Sequence, residues 1–177
     1  MWDKPESALL VLAPEAETLV KDFRDRYDWA ASQGVPAHLT LLYPFMAPAE
    51  IEAGVLTSIE QLLGRFAPFD YTLAEPRRFP AGVLYLAPEP AAPFKALTAA
   101  LAAQFPAYPP YGGVYAEVIP HLSVAQVTDL THLDAIAAEF GAAAAGRLPI
   151  PAHAAQVALM DNRSGRWAVT GMFRLGD

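Results

Sequence analysis

Apolar positions along the chain form short runs and helical stripes, and prolines mark most of the boundaries between them. Ser7 to Ala13 is a continuous apolar run and predicts a buried strand. Pro14 suits the first turn of a following helix, on which Val20, Phe23 and Tyr27 share one face. After a turn at Gln33-Gly34-Val35-Pro36, His38 to Phe45 alternates as a strand. A helix is predicted over Pro48 to Leu63, striped by Ile51, Val55, Ile59 and Leu62. Phe69 to Leu73 and Val83 to Leu86 read as strands joined by a loop that holds Arg77 and Arg78. Phe94, Leu97, Leu101 and Phe105 stripe the next helix, Pro106 to Gly113 is a loop, and His121 to Val127 is a strand. Leu130, Leu133, Ile136 and Phe140 stripe a further helix, and Ala142 to Pro151 is a connector of small residues. Gln156 to Met160 and Trp167 to Phe173 are strands, joined through Asp161-Asn162-Arg163-Ser164-Gly165, a run of hairpin-turn residues.

Laid end to end, the elements repeat. Each half runs strand, helix, strand, helix, strand, and the second half adds one more strand. The pattern predicts an α+β fold with two pseudo-symmetric lobes, each a mainly antiparallel sheet with helices, and a groove between them. The lobes are expected over about residues 1–78 and 79–177 of one domain, with room for an exchange of terminal strands.

Composition narrows the chemistry. Apolar residues are 54% of the 177, enough for a sizeable core. The formal net charge is −7, which argues against a long duplex nucleic acid as partner but not against a nucleotide or an RNA end. The absence of cysteine removes disulfides, thiolate nucleophiles and cysteine metal sites. No apolar run is long enough to span a membrane. The opening Met-Trp-Asp-Lys-Pro-Glu is too short and acidic a lead for a signal peptide, so a cytoplasmic protein, and a monomer, is expected.

Two tetrapeptides, His38-Leu39-Thr40-Leu41 and His121-Leu122-Ser123-Val124, lie 83 residues apart at matching places in the two halves. On a strand, residues i and i+2 point the same way. His38 therefore shares a face with Thr40, and His121 with Ser123, while the residues between enter the core. Facing lobes would bring two imidazoles and two hydroxyls to one point. Imidazole titrates near neutrality, so a pair can divide the work of general base and general acid. Hydroxyls between them can hold the non-bridging oxygens of a phosphate. No metal or other cofactor is needed for such chemistry, and no metal-ligand spacing is present.

The duplicated His-apolar-[Thr/Ser]-apolar pattern resembles the 2H phosphoesterase superfamily, which includes bacterial 2′-5′ RNA ligase-like proteins and cyclic phosphodiesterases. The resemblance extends to the stretch from Val35 to Phe45, to Pro120, and to the closing strand from Gly165 to Phe173. It implies a bilobal fold with His38 and His121 as the catalytic pair and Thr40 and Ser123 as phosphate-binding residues. It also implies a small substrate, a nucleotide or RNA terminus with a 2′,5′ or 2′,3′-cyclic phosphodiester. Ser123 departs from the commoner threonine but keeps the hydroxyl. RNA end joining, and a non-catalytic nucleotide-binding module, are the alternatives.

Tyr43, Tyr115, Arg78 and Arg166 are further candidates for substrate contact. The aromatic rings can stack on a base, and guanidinium suits phosphate. The parity of Tyr43 with Leu39 and Leu41 points it to the core instead. His132 reads as solvated on its helix, and His153 as a satisfied surface histidine.

Overall fold

A computed structural model describes residues 4–176; residues 1–3 of the opening segment and residue 177 lie outside it. The fold is α+β, as the pattern predicts. Eight strands form two four-stranded antiparallel sheets, ordered β2-β1-β7-β8 and β5-β4-β3-β6. The strands are β1 (Ser7–Leu12), β2 (His38–Leu42), β3 (Phe69–Phe79), β4 (Val83–Glu89), β5 (Leu122–Gln126), β6 (Ile150–Ala154), β7 (Gln156–Asp161) and β8 (Ala168–Arg174). The helices are α1 (Glu17–Tyr27), the short α2 (Trp29–Ser32), α3 (Ala53–Leu63), α4 (Ala92–Gln104) and α5 (Leu130–Ala144). The first sheet thus takes strands from both ends of the chain, and the second takes the four between. Residue 78, at the expected lobe boundary, lies inside β3.

The helices are crossed between the sheets. α1 follows a strand of the first sheet but packs on β5 of the second, and α4 follows β4 but packs on β2. The two motif strands are edge strands of their sheets and lie against each other. One continuous core results, with Phe23 of α1 edge-on to Phe140 of α5 at 5.1 Å between ring centroids. β1 is central in its sheet, and its run Ser-Ala-Leu-Leu-Val-Leu is apolar nearly throughout because both faces are covered. Leu9 and Val11 enter the main core, while Ala8 and Leu10 join a smaller cluster with Val35, Met160 and Trp167 on the other face.

Three predicted elements differ. The connector expected over Ala142 to Pro151 begins in the last turn of α5 and ends in β6, a strand that the pattern does not predict. The helix expected from Pro48 is a short 3-10 turn at Pro48–Glu50 and then α3, with Ile51 extended between them. Arg77 and Arg78 are not in a loop: β3 runs through them to Phe79, paired with β4 from Thr72 onward. At Pro76 one edge of β3 is open, because β6 covers the strand only as far as Leu73, and an open edge is where a strand accepts proline.

Candidate active site

His38 opens β2, and His121 lies one residue before β5. Both rings are half-buried and held alike. His38 Nδ1 lies 2.8 Å from the Pro36 carbonyl, and His121 Nδ1 lies 2.7 Å from the Ile119 carbonyl. A carbonyl only accepts, so each Nδ1 carries the proton, and each Nε2 is left to take or give one. The charge of His121 acts on His38, which places the two imidazoles in one electrostatic site.

Each hydroxyl residue is followed by a β-bulge. Across from β1, Leu9 pairs with Leu42 and Leu10 with Thr40, so Leu41 is the extra residue. Across from β4, Leu84 pairs with Ala125 and Tyr85 with Ser123, so Val124 is extra. Two consecutive residues are therefore buried after each hydroxyl, Leu41–Leu42 and Val124–Ala125. A bulge bends the strand and reverses its parity. That corrects the reading of Tyr43 as a core residue, because beyond the bulge it rejoins the face of His38 and Thr40.

On that face a cavity of about 200 Å³ is lined by Ala8, Leu10, Trp29, Ala30, Val35, His38, Thr40, Tyr43 and Trp167. Tyr43 is anchored by its hydroxyl, which donates to Glu6 Oε2 at 2.8 Å, and its ring meets Trp167 at 6.1 Å between centroids. Burial and the Glu6 carboxylate both keep its phenol protonated. The proline- and glycine-rich loop after α4 contributes Tyr111. Its N–H donates to the Tyr43 carbonyl at 2.6 Å, its hydroxyl pairs with that of Thr40, and its φ of 52° is rare for a residue with a Cβ. Tyr115, 60% exposed, stands edge-on to Tyr111 at the rim. On the His121 side, Phe79 and Tyr85 stack on each other at 4.2 Å and present edges to the imidazole at 5.0 and 5.6 Å.

The arginines are placed differently. Arg78 pairs with Asp134 of α5, on the face of β3 opposite to Phe79. The guanidinium of Arg166 lies beside Gly34, in the turn that leads to β2. His132 is exposed and edge-on to Tyr27, and His153 pairs with Asp70 at 2.6 Å across the β3–β6 edge. Among the described residues no group of three or more histidines or acidic residues could hold a metal, and no helix is long and apolar enough to cross a membrane.

Burial lowers the pKa of both site histidines. That of His38 falls to about 4, by burial first and the Arg24 charge second, against the Pro36 carbonyl and Asp28, which raise it. That of His121 falls by burial, offset in part by the Ile119 carbonyl. A histidine whose folded pKa is lowered binds more protons when unfolded, so its contribution to stability is lost as pH falls. Between its ordinary 6.5 and about 4, wild type should therefore lose stability faster than His38→Gln as pH drops. Denaturant unfolding of both proteins at the two ends of that window checks this, and parallel losses would contradict it.

The profile of the 2′-5′ RNA ligase superfamily matches residues 12–166. No curated protein matches the chain. Among solved structures, TT0787 of Thermus thermophilus is 19% identical with a TM-score of 0.65, over 97% of this chain and 99% of that one. LigT of E. coli complexed with 3′-AMP is 17% identical with a TM-score of 0.58, over 99% of this chain and 100% of that one. The same protein complexed with NADP+ aligns at 18% identity and a TM-score of 0.57, with the same coverage.

Proposed function

The chain belongs to the 2′-5′ RNA ligase superfamily, the group of 2H phosphoesterases, and from that premise we propose that it is a metal-independent phosphodiesterase. Its substrate is a nucleotide or RNA terminus with a 2′,5′ or 2′,3′-cyclic phosphodiester. The observation that carries this reading is the matched pair of imidazoles, each fixed at Nδ1 by the carbonyl two residues before it and each two residues from a hydroxyl. In hydrolysis a water oxygen bonds to phosphorus while its proton passes to one Nε2. The bond from phosphorus to the ribose oxygen breaks, and that oxygen takes the proton of the other Nε2. Thr40 and Ser123 hold the non-bridging oxygens as charge builds on them.

The cavity beside His38 and Thr40 suits a nucleobase, with its apolar floor and its walls of Trp29, Tyr43 and Trp167. The adenine-bearing ligands of E. coli LigT are of the same chemical class. Trp29→Ala is expected to raise KM by roughly 5- to 150-fold, the usual worth of one stacked base, with a smaller effect on kcat.

Incubation with a 2′,5′-linked dinucleotide, 2′,3′-cyclic nucleotides and ADP-ribose cyclic phosphate in excess EDTA tests the reading. Hydrolysis of at least one, with the products separated by chromatography, is the expected result. Activity that chelator abolishes and added metal restores would overturn it, and so would binding of these compounds without turnover.

A further inference from the structure

The face of the second sheet that carries His121 extends across β4 and β3, and register fixes which side chains stand on it. Tyr85 of β4 lies directly opposite Ser123 of β5 on one side and Arg77 of β3 on the other. Residues directly opposite each other share a face of the sheet. Ser123, Tyr85 and Arg77 therefore form one row across three strands. Phe79, two residues from Arg77, marks the same face: its ring stacks on Tyr85 at 4.2 Å and meets the His121 imidazole edge-on. Residues of the other parity turn away. Leu84 and Leu86 enter the main core, and Arg78 pairs with Asp134 of α5. The two consecutive arginines thus part, and Arg77 is the one on the face of the site. Its guanidinium lies 3.4 Å from the Glu75 carboxylate, and both side chains are exposed. So loose a surface pair is worth little, and a phosphate, which takes the guanidinium fork better, can displace the carboxylate.

Resting on the reading that His38 and His121 flank the scissile phosphate, we propose that this row is a second nucleotide subsite. The nucleoside on the His121 side of the bond lies over the Phe79 ring, and Arg77 holds the phosphate at its far end. The substrate is then an oligonucleotide end, with a phosphate beyond the one that is cleaved. The Phe79 ring is half-buried and backed by Tyr85, which is 5% exposed, so it offers a firm platform to a base of any identity. From Ser123 to Arg77 is two strand spacings, about 10 Å between Cα atoms. A sugar and its base occupy that span between two phosphates, and the long arginine side chain supplies the remaining reach. The cavity beside His38 takes the base on the other side of the bond. Aromatic surfaces therefore lie on both sides of the scissile centre, one belonging to each motif strand.

Calorimetric binding of adenosine 3′,5′-bisphosphate and of 5′-AMP to the full chain tests this without any need for turnover. The bisphosphate is one nucleoside with a phosphate at each end. Wild type should bind it about tenfold more tightly than 5′-AMP, the usual worth of one charge-assisted contact. Arg77→Gln should abolish that difference and leave the affinity for 5′-AMP unchanged. Glu75→Gln removes the competing carboxylate and should widen the difference. Both side chains are exposed, so neither substitution opens the core. The proposal is overturned if the bisphosphate has no advantage in wild type, if the advantage survives Arg77→Gln, or if that variant weakens both ligands alike. It is equally overturned if Glu75→Gln narrows the difference. Hydrolysis in EDTA without a bisphosphate advantage sinks the subsite and leaves the two-histidine reading standing. An advantage that depends on Arg77, in a protein that hydrolyses nothing, does the reverse.

Discussion

Replacement of either His38 or His121 by alanine is expected to slow cleavage of a 2′,5′-linked dinucleotide by about 10²- to 10⁴-fold, the usual worth of a positioned acid or base. Binding of a nucleotide product should stay within a few-fold of wild type. Besides His38, the cavity is lined by Trp29, Tyr43, Trp167 and five further residues, so most of the binding surface is kept when the imidazole is removed. The two losses should not multiply. One imidazole without the other can take a proton but cannot supply one, so the double variant should be little slower than the worse single variant. Steady-state kinetics with calorimetric binding of the product checks both parts. Equal losses of binding and rate would identify the histidines as ligand contacts and not as an acid–base pair.

Phe94→Ala should have the largest effect on stability, about 3–5 kcal/mol, the range for truncating a fully buried aromatic. Phe94 lies in the first turn of α4, the helix that packs on β2 of the first sheet, yet its ring stands edge-on to Phe69 and Tyr71 of β3 in the second, at 5.0 Å from each. It is wholly buried. Its removal opens a void where the two sheets share their core, and the neighbours cannot collapse into it while both sheets hold their backbone. For a chain of this length the midpoint of thermal unfolding should fall by on the order of 10 °C. A fall of only a degree or two would mean that the sheets do not depend on this contact.

The halves of the site differ in how far sequence alone reveals them. The two motifs are legible because period-two alternation places a histidine and a hydroxyl on one face whatever else the chain does. The bulges are also written in the sequence, as the doubled apolar residues Leu41–Leu42 and Val124–Ala125, but plain alternation carried through them turns Tyr43 to the wrong face. Arg77 and Arg78 look like loop residues because Pro76 precedes them. Only the uncovered edge of β3 explains why a strand accepts that proline. Trp29, Trp167 and Tyr111 cannot be found by pattern. They come from a four-residue helix, the end of a hairpin turn and a loop of glycine and proline, and tertiary pairing alone brings them to His38 and Thr40. The crossing of α1 and α4 between the sheets leaves no local trace either, since an amphipathic stripe does not say which sheet it will meet.

The claim at the centre of this account is that two imidazoles divide proton acceptance and donation across one phosphate. The pH dependence of kcat/KM for wild type on the best substrate tests it most directly. One histidine must be neutral and the other charged, so the profile should be bell-shaped, with two limbs that belong to the coupled pair. A rate that is flat, or that rises through one limb and never falls as the pair titrates, would contradict it.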